Sequence, residues 1–244
     1  MPVTVGGAGP VILRRAAGPG ARGPEFIEVT LLPGRGMNLF QARALFPGLG
    51  EIDLLVSPSL EEAAQKLNGG PEDFMGVQSF SLGGALLLPF ANRIRGRVSN
   101  DDRSILTRVG LTRVGLTRVG SRATELPADW KGQHPGAEKC AMHGLILASK
   151  MDVIESTPTS VKAILSAGDF NGHWPSETEV DVHAELRPES VYFAATARNA
   201  GTEDLPVGIG WHPYFALPGA DRAGGNREQV RLRLPASARA LVHN

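Results

Sequence analysis

Between Glu179 and Leu186 the chain reads EVDVHAEL, in which Val180, Val182, Ala184 and Leu186 alternate with Glu179, Asp181, His183 and Glu185. A period of two puts the apolar set on one face and the charged set on the other, which predicts a half-buried strand. Arg187–Ser190 forms a turn with φ preset by Pro188, and the VYFAATARN that follows opens with β-branched and aromatic residues, so the pair reads as a hairpin. Weaker strand patterns cover Glu25–Leu31, Val161–Leu165 and Val230–Leu234, the last interleaving apolar positions with Arg231 and Arg233. One segment carries helix signals. In SLEEAAQKLNGG, Ser59 predicts the N-cap, Glu62 completes a capping box three residues on, and Gly69 closes the end of a short surface helix.

Thirty glycines and eighteen prolines, spread along the chain, cut it into short segments joined by turns. That favours an all-β domain spanning residues 1–244. One stretch is unlike the rest: LTRVG occurs three times in succession from Leu106 to Gly120. A period of five would invert the faces of a continuous strand at every copy, so residues 104–121 are expected to be an expanded loop. A basic arm built from Arg108, Arg113 and Arg118 is the competing reading, but exposed connections tolerate added length at little cost.

The chain has 244 residues, with 25 Lys plus Arg against 25 Asp plus Glu. Such a length can bury roughly 70% of its unfolded surface. A balanced charge offers no basic excess to neutralise a phosphate backbone, so nucleic acid is not an expected partner. The single cysteine, Cys140, forms no internal disulfide, and the first twenty residues show no secretory leader, which leads to the expectation of a cytoplasmic protein. No apolar run approaches the ~20 residues a membrane-crossing helix needs, so no membrane partner is expected.

Candidate chemistry concentrates in three fragments: PFANRIRG (Pro89–Gly96), MHGL (Met142–Leu145) and GWHPYF (Gly210–Phe215). The proline after His212 pushes that histidine into extended backbone, with Tyr214 on its face and Trp211 and Phe215 on the other. Pro213 places the segment at a strand end or on an edge strand. An imidazole with an ordinary pKa near 6.5 can exchange protons at neutral pH, so His212 is a candidate acid; a core histidine with both nitrogens satisfied is the alternative. His143 precedes Gly144, which permits close backbone approach by a ligand. Asn92 offers donor and acceptor together and Arg93 a fork of donors, a combination suited to vicinal hydroxyls. Arg93, Arg95 and Arg97 would share a strand face and suit a phosphate if they lined a cleft; otherwise they are a solvated face.

The ordered series PFANRIRG, WKGQHPGAEKCAMHGL and NAGTEDLPVGIGWHPYF resembles the aldose 1-epimerase, or galactose mutarotase-like, family, over about Gly36 to Leu234 with the LTRVG copies as a gap. The resemblance implies a large antiparallel β-sandwich that interconverts the α and β anomers of free hexoses such as glucose or galactose, without cofactor or metal. It also implies roles. His212 matches the general acid at the ring oxygen, His143 a histidine that binds the ring and steadies that oxygen, and Asn92 with Arg93 the hydroxyl-binding pair. Trp211, Tyr214 and Phe90 are candidates for apolar contact with the sugar.

The chain departs from the family after HPYF. There the family carries an aspartate and, near its C-terminus, the glutamate that acts as general base, and neither has a counterpart before Asn244. The expectation is a C-terminally truncated sandwich with impaired activity and exposed strand edges through which copies could form a homo-oligomer. Three alternatives stay open: a non-catalytic carbohydrate-binding or regulatory module, a hexose-6-phosphate 1-epimerase using the arginines near Arg93, and a degenerate fragment without function.

Overall fold

The computed structural model describes residues 2–19, 22–109, 122–132, 136–217 and 230–236. The first strands are β1 (Val11–Arg14), β2 (Glu25–Leu32), β3 (Asn38–Phe46), β4 (Gly50–Asp53), β5 (Gly84–Leu87), β6 (Arg93–Ile94), β7 (Arg97–Val98) and β8 (Ser104–Val109). They are followed by β9 (Arg122–Pro127), β10 (Trp130–Lys131), β11 (Lys139–Met142), β12 (Asp152–Ser156), β13 (Ser160–Gly168), β14 (Thr178–Leu186), β15 (Val191–Asn199) and β16 (Gly210–Pro213). The only α-helix among the described residues is α1 (Leu60–Lys66), so the fold is all-β, as expected.

Two sheets make the sandwich. One runs β1-β2-β3-β5-β16 with β4 also on β3, and the other is the meander β12-β13-β14-β15. In β14 the residues Val180, Val182, Ala184 and Leu186 are buried and join one core with Val29 and Leu31 of β2, Leu39 of β3 and Leu86 of β5. The predicted alternation therefore finds the opposite layer it needs. Each buried Val or Leu contributes roughly 1.5–3 kcal/mol by leaving water. The hairpin pairs β14 with β15 from Thr178↔Asn199 to Leu186↔Val191, and Arg187 N–H donates to Ser190 O at 2.9 Å to close the turn. Two three-stranded sheets, β10-β11-β6 and β7-β8-β9, complete the described fold.

The helix forms where the capping signals place it. Ser59 Oγ accepts from Glu62 N–H at 3.2 Å, and Gly69 takes the left-handed φ of +73° that ends the segment. Its inner face is not solvent-facing: Ala63 and Leu67 are buried against Val5, Leu32 and Phe40.

Two expectations need correction. Residues 104–109 of the supposed 104–121 loop are strand β8, paired with β9 from Ser104↔Pro127 to Val109↔Arg122; residues 110–121 lie outside the described residues. The five-residue period inverts faces between copies, not within one, and along β8 Ile105, just before the first copy, and Val109 within it are buried while Leu106 faces out. Val230–Leu234 is not a strand. It joins no ladder, and Val230, Leu232 and Leu234 are 50%, 67% and 69% exposed, so its alternation has no layer to face.

Between α1 and β5 the segment Pro71–Ser81 winds as 3-10 turns interrupted by Met75 and Gly76 at positive φ. It is held by a buried ion pair, Arg35 to Asp73 at 2.8 Å, with side chains 3% and 1% exposed. The Asp73 carboxylate also accepts from Gly69 N–H at 2.9 Å and Gln78 N–H at 3.2 Å. This fixes the segment that carries Phe80. No described helix is long and apolar enough to cross a membrane.

Candidate functional site

His212 sits on β16, which pairs antiparallel with β5 so that His212 lies opposite Ala85 and Trp211 opposite Leu86. Directly opposed residues share a face. His212 therefore lies on the side of Ala85, Leu87, Leu147 and Phe80, away from the sandwich core. Pro213 is the last residue of an end strand, a position where its missing N–H leaves no ladder bond unmade.

His143 reaches the same place from the end of β11. Its φ of +62° and that of Gly144, +93°, turn the chain sharply. At Gly144 a Cβ would lie 2.2 Å from Leu88 O, so only glycine allows the segment to press against the residues after β5. His143 N–H donates to Asn92 O at 2.9 Å, and Leu145 N–H and Ile146 N–H both donate to Leu88 O, at 2.7 and 3.1 Å. The two imidazoles meet with ring centroids 4.9 Å apart, edge to face. Phe80 contacts both, at 4.7 Å from His143 and 5.8 Å from His212, and Tyr214 lies 5.2 Å from His212.

Both imidazoles keep one polar atom unpaired. His143 Nδ1 and His212 Nδ1 are buried without a hydrogen-bond partner. Buried polar atoms are nearly always satisfied in a native fold, so two orphans on adjacent rings set this pair apart from ordinary core histidines. Burial, then the neighbouring His212 ring and the Arg93 charge, push the His143 pKa down to about 4. At neutral pH this ring is uncharged, with one donor and one acceptor nitrogen.

Arg93 stands beside this pair. Met142 of β11 lies opposite it, and its guanidinium lies over the Trp130 ring, 5.5 Å from the centroid. Asn92 takes a left-handed φ of +63° and contributes its main-chain oxygen to His143; both Asn92 and Arg93 are exposed at the rim. Among the described residues no group of three His, Cys, Asp or Glu is arranged to hold a metal ion.

Of the sequence candidates, His143, His212, Tyr214, Asn92 and Arg93 come together. Trp211 does not. One residue along a strand from His212, it emerges on the opposite face, where its Nε1 donates to Gly84 O at 3.0 Å and its ring lines an apolar cleft of about 430 Å3 with Phe26, Phe193 and Phe215. Phe90 is also elsewhere, buried in the core and stacked on Trp174 at 5.6 Å. Two residues at the site carry no signal in the sequence. Phe80 lies in an irregular segment with no period to read, and Asp129 has no motif around it; its Oδ1 accepts from Met142 N–H at 2.8 Å.

The aldose 1-epimerase family model matches residues 125–242, a stretch that contains His143 and His212 and leaves Asn92 and Arg93 outside. No curated protein matches the chain. Among solved structures, the chain is similar to a GalM/aldose epimerase homologue from C. elegans, with 18% identity and a TM-score of 0.51 over 87% of this chain and 52% of that one. It is also similar to a galactose mutarotase related enzyme from Lactobacillus acidophilus, with 14% identity and a TM-score of 0.52 over 88% and 51%. At these identities the likeness is one of fold, the galactose mutarotase-like sandwich. The chain spans about half the length of the structures it matches. In sequence the resemblance thus holds over 125–242, which contains the second and third motifs and leaves PFANRIRG outside, and beyond that stretch it holds in fold.

Proposed function

We propose, on the likeness to aldose 1-epimerases, that this chain binds a free hexose at the His143–His212 pair and interconverts its anomers. The carrying observation is the meeting of two imidazoles whose Nδ1 atoms are both buried and unpaired. Anomer exchange requires an acid to protonate the ring oxygen while a base takes the proton of the C1 hydroxyl; the ring opens to the aldehyde, the C1–C2 bond rotates and the ring recloses. His212 serves as the acid. His143, neutral at working pH, hydrogen-bonds the ring oxygen region, while Asn92 and Arg93 take hydroxyls at the rim and Tyr214 offers its ring face to the sugar. Polarimetry of freshly dissolved α-glucose or α-galactose tests this. Acceleration over buffer is expected, falling about 10²- to 10⁴-fold in His212→Ala by the usual size of general acid catalysis; the absence of any acceleration defeats the catalytic reading.

A second reading, a sugar-binding module without turnover, is favoured by one observation: the charged or titratable neighbours that act on His143 are His212 and Arg93, with no carboxylate among them to serve as the base. Calorimetric titration with the same sugars separates the two, since heat of binding without polarimetric acceleration selects the module. The same titration with glucose 6-phosphate addresses the phosphorylated substrate. Arg93 and Arg95 line one cavity of about 250 Å3, and equal affinity for the two sugars removes that variant. Copies of the chain associate, in this reading, through the end strands β15 and β16.

A further inference from the structure

Asp129 precedes β10 and reaches across to the last residue of β11. Its Oδ1 accepts from Met142 N–H at 2.8 Å, one residue before the left-handed turn at His143. The hydrogen bonds that fix residues 142–146 come from three sides. Asn92 O takes the His143 amide, Leu88 O takes two amides beyond it, and Asp129 takes the amide before it. The Asp129 bond is the side-chain contribution among these and therefore the one that depends on a protonation state. The residue after Asp129 is Trp130, which pairs with Cys140 of β11 and carries the Arg93 guanidinium on its ring. A single carboxyl thus stands at the junction of both halves of the candidate site.

We propose that Asp129 is a positioning residue for this site: through the Met142 amide it sets the turn that aims His143 at His212, and its ionisation state tunes that aim. The proposal rests on the reading of the His143–His212 pair as the working site. Burial pushes the Asp129 pKa up to about 7, and the bonds it accepts from Met142 and its own backbone amide only partly oppose this. The carboxyl therefore changes charge across neutral pH. An ionised acceptor holds an amide about twice as strongly as a neutral one, so the grip on Met142 tightens as pH rises through that value. The charged and titratable groups around it are Lys131 and Lys139 from β10 and β11, Asp102 and Arg103 from the approach to β8, the Cys140 thiol, and Arg93 across the Trp130 ring. From the Pro71–Ser81 segment the facing side chain is Phe74, which is apolar. Lys139 is engaged by Asp102 at 3.4 Å.

The test is a pH titration of the full chain by NMR, following the Met142 backbone amide and the His143 ring resonances from pH 5 to 9, in the native protein and in Asp129→Asn. Asparagine keeps an oxygen acceptor and cannot ionise. The expected result is an inflection near pH 7 shared by the Met142 amide and the His143 ring, lost from both in Asp129→Asn. An inflection at Met142 that survives the substitution overturns the proposal, as does a His143 ring that does not follow Met142. If Asp129→Asn does not fold, the native titration decides alone, because the two probes must move together. Neither probe depends on turnover, so a chain without mutarotase activity still decides the question. Where turnover is present, Asp129→Ala is expected to lower kcat/KM about 10²-fold, as a misplacement near 1 Å would, and an unchanged pH profile of kcat/KM in that folded variant counts against the proposal.

Discussion

Burial acts on His143 and Asp129 in opposite senses. For His143 the folded-state pKa of about 4 lies below the ordinary 6.5, so its contribution to stability is present above pH 6.5 and lost as pH falls through about 4. For Asp129 the folded value of about 7 lies above the ordinary 3.8. Its contribution is full below pH 3.8 and lost as pH rises through about 7, because the folded state then keeps a proton that the unfolded chain releases. Each tenfold difference in proton affinity between the folded and unfolded chain is worth about 1.4 kcal/mol. Asp129→Asn is therefore expected to stabilise the fold more at pH 8 than at pH 5, by about 3 kcal/mol, as read by chemical denaturation at the two pH values. An equal effect at both would mean that Asp129 titrates like an exposed carboxyl.

At the scale of elements, Gly84 shows how a strand pair carries the site. A Cβ there would lie 2.4 Å from Trp211 Nε1 and 2.8 Å from Cε2, so Gly84→Ala must expel the indole and break its bond to Gly84 O. Overpacking of this kind costs about 1–3 kcal/mol. The expected signature is that loss of stability together with a red shift of tryptophan emission; unchanged emission would show that the indole does not lie over Gly84. Elements with a clear period are legible in the sequence: β14, its hairpin partner β15, β2 and the Ser59-capped helix each satisfy local pattern and tertiary need together. The alternation at Val230–Leu234 misleads because a strand also requires a neighbour. Segments governed by single dihedrals are not legible. Left-handed turns at Asn92 and His143 bring distant fragments together, and no period encodes them, so the motif residues that meet at the site can be named while Phe80 and Asp129 cannot. Trp211 stands apart from the imidazole pair for a reason its own strand supplies: neighbours along it face opposite ways.

For the molecule as a whole, the two sandwich layers end side by side. Among the described residues β15 and β16 are the last strands of their sheets, and the apolar cleft between them is lined by Val191 and Phe193 from one and by Trp211 and Phe215 from its surroundings on the other. Trp211 is 45% and Phe215 48% exposed. Uncovered apolar surface beside open edges favours association. Sedimentation of the purified chain is expected to show concentration-dependent self-association that Phe215→Glu weakens, and a monomer at all concentrations would exclude these strands as the contact. The buried Arg35–Asp73 pair has a different consequence. Pulling those charges apart without water would leave each stranded, at about 3–5 kcal/mol for a broken buried pair, so the Phe80 wall behaves as masonry, not as a hinged door. Whatever approaches the two imidazoles therefore meets, in the Phe80 ring, a wall already fixed before it arrives.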